Sequence, residues 1–238
     1  MISRITRLLP ARPLHNAPPI APELKPWDKP RLRLLSFNMQ AGMGMDAAHH
    51  YITRSLRNVL PHRRQREQLE RIARLIGEYD VVALQEVDGG SLRSGYTHQL
   101  VHLAERAGFP WWFQQVNRDL GHLGQFSNGL LSRQSPQAVE AHALPGLKGL
   151  EPRGALWSAV DFDGVVVNIM NTHLGLVPRE QRLQVAALIG RDWLGDPMCD
   201  GPTILTGDFN ATSITRPYQA LTRRLDDAQR RLGLKPSI

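Results

Sequence analysis

The sequence predicts an α/β protein in which a mixed β-sheet, or two packed sheets, is flanked by helices. Short runs rich in Val, Leu and Ile recur between Gly, Pro and Asp residues, as buried strands do. Other segments place apolar residues at helical spacing. Several strands in the middle of the chain follow one another directly, which disfavours the strict alternation of a doubly wound sheet.

The elements are expected in a definite order along the chain. Strands are predicted at 31–38, 80–87, 111–116, 128–132, 155–162, 165–174 and 203–209, and helices within the segments 63–80, 96–108, 179–194 and 217–233. The clearest helix is the first, where Leu69, Ile72, Ala73 and Ile76 recur at i, i+3, i+4 and i+7 and Gly77 would end it.

The first 30 residues differ in composition from the rest. Seven of the 17 prolines lie there, which disfavours both helix and sheet. We predict a Pro-rich flexible leader over residues 1–30 and a folded domain over 31–238. Cys199 is the only cysteine, so no internal disulfide can form and a cytoplasmic location is expected. No apolar run approaches the ~20 residues of a membrane span, so a transmembrane segment is not expected.

The chain is basic, with a net charge of +7, which favours anionic partners such as nucleic acid, phospholipid head groups or phosphorylated small molecules. Residues 54–74 hold seven Arg against two Glu, which suits a phosphodiester backbone but is slightly more typical of a solvated helix face. Trp111 and Trp112 could stack on bases or touch lipid, although adjacent aromatic residues more often lie in a core. Peripheral membrane contact is left open, and the oligomeric state is not predicted.

Four predicted strands end in polar residues suited to metal or phosphate chemistry. These residues are Asn38, Glu86, Asn171 with His173, and Asp208 with Asn210. Singly, each has an ordinary alternative, because Asn forms turns, Glu faces water, His is often structural and Asp caps loops. Strand ends commonly converge on a ligand crevice in sheets of this kind. The joint pattern therefore favours a single site.

The residue types at these strand ends suit one chemistry. Carboxylates beside amide oxygens, with no cysteine, are donors for Mg²⁺ or Mn²⁺ rather than zinc. Asp208 is suited to orient an attacking water, and His173 and Asn210 to donate hydrogen bonds to phosphate oxygens. The sequence therefore indicates the hydrolysis of an anionic phosphoester.

The segments LLSFN, VVALQEV, NTHL and GDFN, in this order, resemble the endonuclease/exonuclease/phosphatase superfamily of DNase I-like proteins. NGLLSR and EPRGAL resemble its intermediate strands, and the resemblance runs from about Arg31 to the end. It implies a four-layer sandwich of two packed mixed β-sheets with helices outside. It also implies a divalent-metal phosphoesterase.

The resemblance assigns roles residue by residue. It implies that Glu86 is the principal metal ligand, with Asn38 beside the metal. It implies that His173 stabilises or protonates around the scissile phosphate and that Asp208 orients the water. Asn210 is expected to contact the phosphate and to align Asp208.

Two further residues are assigned to phosphate binding, and one departure from the family is expected to matter. Arg153 in EPRGAL and Asn171 in NTHL are candidate phosphate-binding residues, with a surface charge as the alternative for Arg153. The family's terminal Asp-bearing strand and SDH motif are not found, and Asp226 and Asp227 lie in the predicted last helix. The domain is therefore expected to lack its C-terminal strands, and turnover by this chain to be weak or absent.

The leading interpretation is a metal-dependent phosphodiesterase of the nuclease kind. The first alternative is a phosphatase or phospholipase C-like hydrolase that acts on a phosphorylated lipid or small molecule. The second is a non-catalytic protein that uses the same groove to bind phosphate, because the terminal Asp-His motif is not found.

Overall fold

The computed structural model describes residues 8–9, 31–40, 63–190, 193–195 and 201–233. Two β-sheets pack face to face, and helices cover their outer faces. The basic residues 54–62, Cys199 and most of the predicted leader lie outside the described residues, and within the leader only Leu8–Leu9 are described, as a short strand. The prediction of two packed mixed sheets with helices outside is confirmed.

The first sheet is formed by the strands that precede residue 133. They are β1 (Leu8–Leu9), β2 (Leu34–Asn38), β3 (Val81–Val87), β4 (Trp111–Asp119) and β5 (Gln125–Ser132). Their order across the sheet is β1-β4-β5-β3-β2. β2 runs parallel to β3 and the other neighbours are antiparallel, so the sheet is mixed.

The second sheet is formed by later strands and is mixed in the same way. They are β6 (Pro136–Ala143), β7 (Gly154–Phe162), β8 (Val165–His173) and β9 (Thr203–Asp208), in this order across the sheet. β8 and β9 are parallel, and the other neighbours are antiparallel. β6 was not predicted from the sequence, because its Ala and Glu residues have weak strand propensity and it begins with a proline.

Among the described residues, four α-helices pack on the outer faces of the sheets, and a fifth, short helix has no buried residue. They are α1 (Arg63–Ile76), α2 (Gln99–Ala107), α3 (Pro178–Leu188), α4 (Arg216–Leu221) and α5 (Ala228–Arg231). Among the described residues, no helix is long and apolar enough to cross a membrane. The exposed Arg66, Arg71 and Arg74 of α1 fit the expectation of a solvated basic helix face.

The single last helix predicted over 217–233 is wrong. The structure has two short helices there, and Asp227 lies before the second of them. Its carboxylate accepts hydrogen bonds from the Arg230 backbone N–H at 3.1 Å and from the Tyr218 hydroxyl at 2.6 Å. An Asp that caps a helix in this way begins a new helix and does not continue the previous one.

Three apolar clusters fill the spaces between the four layers. Along β3, Val82 and Leu84 face the helices α1 and α2, whereas Val81 and Ala83 face the second sheet. The third cluster lies between the second sheet and the helices α3 and α4. Because both faces of β3 are covered, its sequence is almost continuously apolar. Trp112 also lies in the helix-facing core and not on a binding surface.

Arg133, directly after β5, holds the ends of two helices together at the edge opposite the strand ends described below. Its guanidinium donates to the carbonyl oxygens of Gly77, Tyr79, Ala107 and Gly108. These carbonyls lie at or just after the C-terminal ends of α1 and α2, where helices leave carbonyl groups without partners. The half-buried Arg133 therefore satisfies backbone groups and fixes this end of the fold.

Candidate active site

The C-terminal ends of four strands meet at one edge of the two sheets. Asn38 ends β2, which runs parallel to β3, and His173 pairs with Asp208 at the ends of the parallel strands β8 and β9. Parallel neighbours end on the same side of a sheet. The structure thus brings the polar residues of both pairs to one place, as the sequence predicts.

Asn38 connects the two sheets at this edge. Its Nδ2 donates to Glu86 Oε1 at 3.1 Å and to Asp208 Oδ2 at 2.8 Å. Its Oδ1 accepts from the Gln40 backbone N–H at 2.8 Å. Because a neutral amide lies between them, the two carboxylates are held close together without direct contact.

Glu86 lies on an irregularity in β3. The register with β5 shifts between Leu84 and Val87, and Glu86 has a positive φ of 55°. Bulges re-aim side chains, and a non-glycine residue in this backbone region is held at a cost of roughly 1–3 kcal/mol. Burial raises the pKa of the Glu86 carboxyl, although the Asn38 amide and Arg153 oppose that shift. The bulge therefore directs a largely buried carboxylate towards Asp208.

Asp208 is held by the backbone around it. Its Oδ1 accepts from the Asn210 backbone N–H at 3.0 Å, and the Asn210 side chain donates to the Leu174 carbonyl at 2.9 Å. Gly207 has a φ of 141°, and a Cβ there would lie 1.9 Å from the Thr172 carbonyl oxygen. Only glycine allows β9 to approach β8 this closely. Asn210 thus aligns Asp208 through its backbone N–H.

His173 lies between the carboxylates and Arg153. Its Nε2 is 3.9 Å from both Glu86 Oε1 and Asp208 Oδ2, and its Nδ1 is 2.9 Å from Arg153 Nη1. Burial and the adjacent Arg153 cation lower the pKa of His173 to about 4, although Asp208 opposes the shift. Arg153 Nη2 lies 3.4 Å from Glu151 Oε2. His173 is therefore a neutral imidazole at physiological pH.

Asn171 is not brought to the carboxylates. Its Nδ2 donates to the carbonyls of Leu84 and Gly129, both at 2.9 Å, and its Oδ1 accepts from Gln85 Nε2 at 2.7 Å. The side chain is fully buried between the two sheets. These contacts link the two sheets. They engage the side-chain nitrogen and oxygen of Asn171 that the predicted phosphate binding would require.

Sequence reasoning missed several residues of the site. Glu151 belongs to the same EPRGAL segment as Arg153, and its charge could have suggested the pairing. Gly207 lies inside GDFN, where a glycine before the carboxylate was the available signal. Gln181 donates to the carbonyls of Gly175 and Asn210, and nothing in the sequence pattern indicates this.

The donor set fits a hard divalent cation. Glu86 Oε2 is buried without a hydrogen-bond partner in the structure, beside the Asp208 carboxylate. Across the described residues, no three His, Cys, Asp or Glu side chains form a ready-made metal cage. Mg²⁺ is commonly bound through one or two carboxylates, with water and phosphate oxygens as its other ligands. Glu86, with Asn38 and Asp208 beside it, is compatible with that mode of binding.

The packed mixed sheets define an α/β sandwich with a site of carboxylates, an amide and a histidine at one edge. A family model described as the Endonuclease/Exonuclease/phosphatase family matches residues 35–236. The chain belongs to this family, whose members are typically metal-dependent phosphoesterases. A comparison with curated proteins finds no match.

Solved structures support the same fold. The human Nocturnin catalytic domain with bound sulfate is 19% identical, with a TM-score of 0.61 over 81% of this chain and 69% of that one. A mannosyl-6-phosphatase of Bacteroides thetaiotaomicron is 18% identical, with a TM-score of 0.60 over 82% of this chain and 71% of that one. A Bacteroides vulgatus family protein is 20% identical, with a TM-score of 0.58 over 81% and 70%. At these identities the likeness concerns the fold alone.

Proposed function

We propose that the protein is a divalent-metal-dependent phosphoesterase that hydrolyses phosphodiester bonds. One observation carries the proposal: the ends of β2, β3, β8 and β9 bring Asn38, Glu86, His173 and Asp208 together. A neutral histidine, two carboxylates and an amide form a site that can bind a cation and a phosphate at the same time.

Glu86 is the residue best suited to hold the cation. Its Oε2 is buried and unpartnered, and its Oε1 is fixed by Asn38. A divalent cation bound there would offset the negative charge of the phosphate during hydrolysis. Asn38 holds the carboxylate in place, and its own Oδ1 is engaged by the Gln40 backbone N–H.

Asp208 and His173 are suited to the chemistry at phosphorus. The Asp208 carboxylate is fixed by Asn38 and by the Asn210 backbone, and it is exposed enough to accept a hydrogen bond from an attacking water. His173, neutral at physiological pH, can donate one N–H to a non-bridging phosphate oxygen. Asn210 retains one side-chain N–H beyond its bond to Leu174.

Substrate choice is tested by comparing several esters under one set of conditions. The purified chain is incubated in excess over bis(p-nitrophenyl) phosphate, p-nitrophenyl phosphate, an oligonucleotide duplex and a phospholipid, with Mg²⁺, Mn²⁺ or EDTA. We expect slow metal-dependent cleavage of the diester, consistent with the weak turnover expected from the sequence, that is abolished by EDTA and reduced below detection in Glu86→Gln. Glu140→Gln, which changes an exposed carboxylate of β6, is the matched control and should keep the wild-type rate.

The other outcomes would distinguish the alternatives. Cleavage of the monoester or of the phospholipid alone would favour a phosphatase or a phospholipase C-like enzyme. Binding of the duplex that weakens steeply with salt, without cleavage under any metal, would favour a non-catalytic phosphate-binding protein. Hydrolysis that survives both EDTA and Glu86→Gln would contradict the proposal.

A further inference from the structure

Arg153 contacts two side chains of the site, His173 and Glu151, and these contacts are not required for binding a phosphate. Its Nη1 lies 2.9 Å from His173 Nδ1, and its Nη2 lies 3.4 Å from Glu151 Oε2. The residue is 8% exposed and His173 is 4% exposed. Both terminal nitrogens of the guanidinium are therefore committed to protein side chains inside the site.

The contact between Arg153 and His173 has one consistent proton arrangement. A guanidinium can only donate hydrogen bonds, so His173 Nδ1 must accept and carries no proton. In a neutral imidazole the proton then lies on the other ring nitrogen, Nε2. Nε2 is the atom that lies 3.9 Å from the carboxylates of Glu86 and Asp208. The donor of the ring thus faces the place where the phosphate would lie.

We propose that Arg153 is a positioning residue that fixes His173 as the Nε2–H tautomer, so that this N–H is presented to the substrate phosphate. The inference rests on the proposed function for its consequence in catalysis. The assignment of the His173 tautomer does not depend on the proposed function. Glu151 supports the arrangement, because its carboxylate lies beside the guanidinium and opposes rotation of Arg153 away from the imidazole.

This role differs from the phosphate binding expected from the EPRGAL motif. A residue that binds the phosphate directly would present a free N–H group to the substrate. Arg153 retains N–H groups for such a contact, because its Nε is buried without a partner in the structure and each terminal nitrogen carries a second N–H. The two roles are therefore separated by experiment, because they predict different behaviour when His173 is absent.

The tautomer is tested without substrate by NMR of ¹⁵N-histidine-labelled protein at neutral pH. The His173 signals are assigned by their absence in His173→Gln. We expect a protonated, pyrrole-type Nε2 and an unprotonated, pyridine-type Nδ1 in the wild type, and a mixture of tautomers in Arg153→Met. Arg74→Met, which changes an exposed arginine in the last turn of α1, is the matched control and should leave the His173 signals unchanged.

The result for the wild type alone is decisive if Arg153→Met does not fold. An Nδ1-protonated His173, or an imidazolium, would overturn the inference. So would a tautomer that is unchanged in folded Arg153→Met. Because no turnover is measured, an inactive protein can still confirm or refute the tautomer, and the two proposals can fail separately.

Kinetics of diester hydrolysis test the consequence. We expect Arg153→Met to lower kcat about 10²-fold with little change in KM, because a donor to the transition state loses its orientation. In the His173→Gln background, Arg153→Met should cause no further loss, since both changes remove the same interaction. A raised KM, or a full additional loss in the double variant, would assign Arg153 Nε to the phosphate and overturn the positioning role.

Discussion

Two arginines, Arg133 and Arg153, lie at opposite edges of the two sheets and are held in different ways. Arg133 donates to four backbone carbonyls at the ends of α1 and α2, and its guanidinium lies over the Phe109 ring at 4.6 Å. Arg153 contacts the side chains of His173 and Glu151, and its Nε has no partner in the structure. All three guanidinium nitrogens of Arg133 donate hydrogen bonds, whereas the Nε of Arg153 has no hydrogen-bond partner in the structure.

This difference implies that the edge around Arg133 contributes mainly to stability and the strand-end edge mainly to function. A residue that satisfies backbone carbonyls contributes to the folded state, whatever the protein binds. At the strand-end edge, Glu86 Oε2 and Arg153 Nε are buried without partners, and Glu86 has a positive φ. Unpartnered buried groups and strained backbone reduce stability, and they are found mainly at sites that bind a ligand. We therefore expect changes at the two edges to affect different measurements.

The largest effect on stability is expected for Arg133→Met. Four carbonyls at the helix ends would lose their donor, so the free energy of unfolding should fall by about 3 kcal/mol. Urea unfolding followed by circular dichroism measures the change. The rate of diester hydrolysis per folded molecule should stay at the wild-type value, and Arg74→Met, a change of an exposed arginine on α1, should change neither quantity. A loss of rate in folded Arg133→Met would break the separation of the two edges.

Gly207→Ala should reduce both stability and rate. The new Cβ would meet the Thr172 carbonyl oxygen, and the shift of β9 would displace Asp208. Gly164→Ala is the matched control, because Gly164 also has a positive φ, of 79°, but has open space around its Cα. We expect Gly207→Ala to be less stable than Gly164→Ala by roughly 1–3 kcal/mol. Equal stabilities and equal rates would mean that the close approach of β8 and β9 is unimportant.

The smallest effect expected is a dependence of stability on pH. The folded protein holds His173 neutral with a pKa of about 4, whereas the unfolded chain binds a proton near the ordinary value of 6.5. The unfolded state therefore binds more protons between these values, and stability falls as the pH is lowered through them. Between pH 6.5 and 5 the loss from this residue should be roughly 1–2 kcal/mol. His173→Gln should reduce the slope, and an unchanged slope would contradict the assignment.

Much of the strand-end site could be predicted from the sequence, because apolar runs that end in Glu, Asp or His are recognisable without tertiary information. Whether a residue near a strand end lies between the sheets or at their edge could not be predicted. Asn171 and His173 are two residues apart on the same strand, yet Asn171 lies between the sheets and His173 lies at their edge. That distinction depends on where β8 crosses the first sheet, which the pattern of β8 alone does not contain.

The two arginines illustrate the same limit. Each follows or precedes a strand in a short loop, and each could have been read as a surface charge. Their partners come from residues 77–108 for Arg133, and from Glu151 and His173 for Arg153. The break between α4 and α5 was missed for a local reason, because the helix-capping geometry of Asp227 competes with helix propensity over the whole segment.

The central claim is that Glu86 organises a cation site where the four strands end. Mn²⁺ binding to the purified chain, followed by electron paramagnetic resonance of the free ion, tests it directly. The account predicts one Glu86-dependent site that is lost in Glu86→Gln and kept in Glu140→Gln, a matched change of an exposed carboxylate on β6. Equal binding by wild type and Glu86→Gln, or no binding by the wild type, would contradict it.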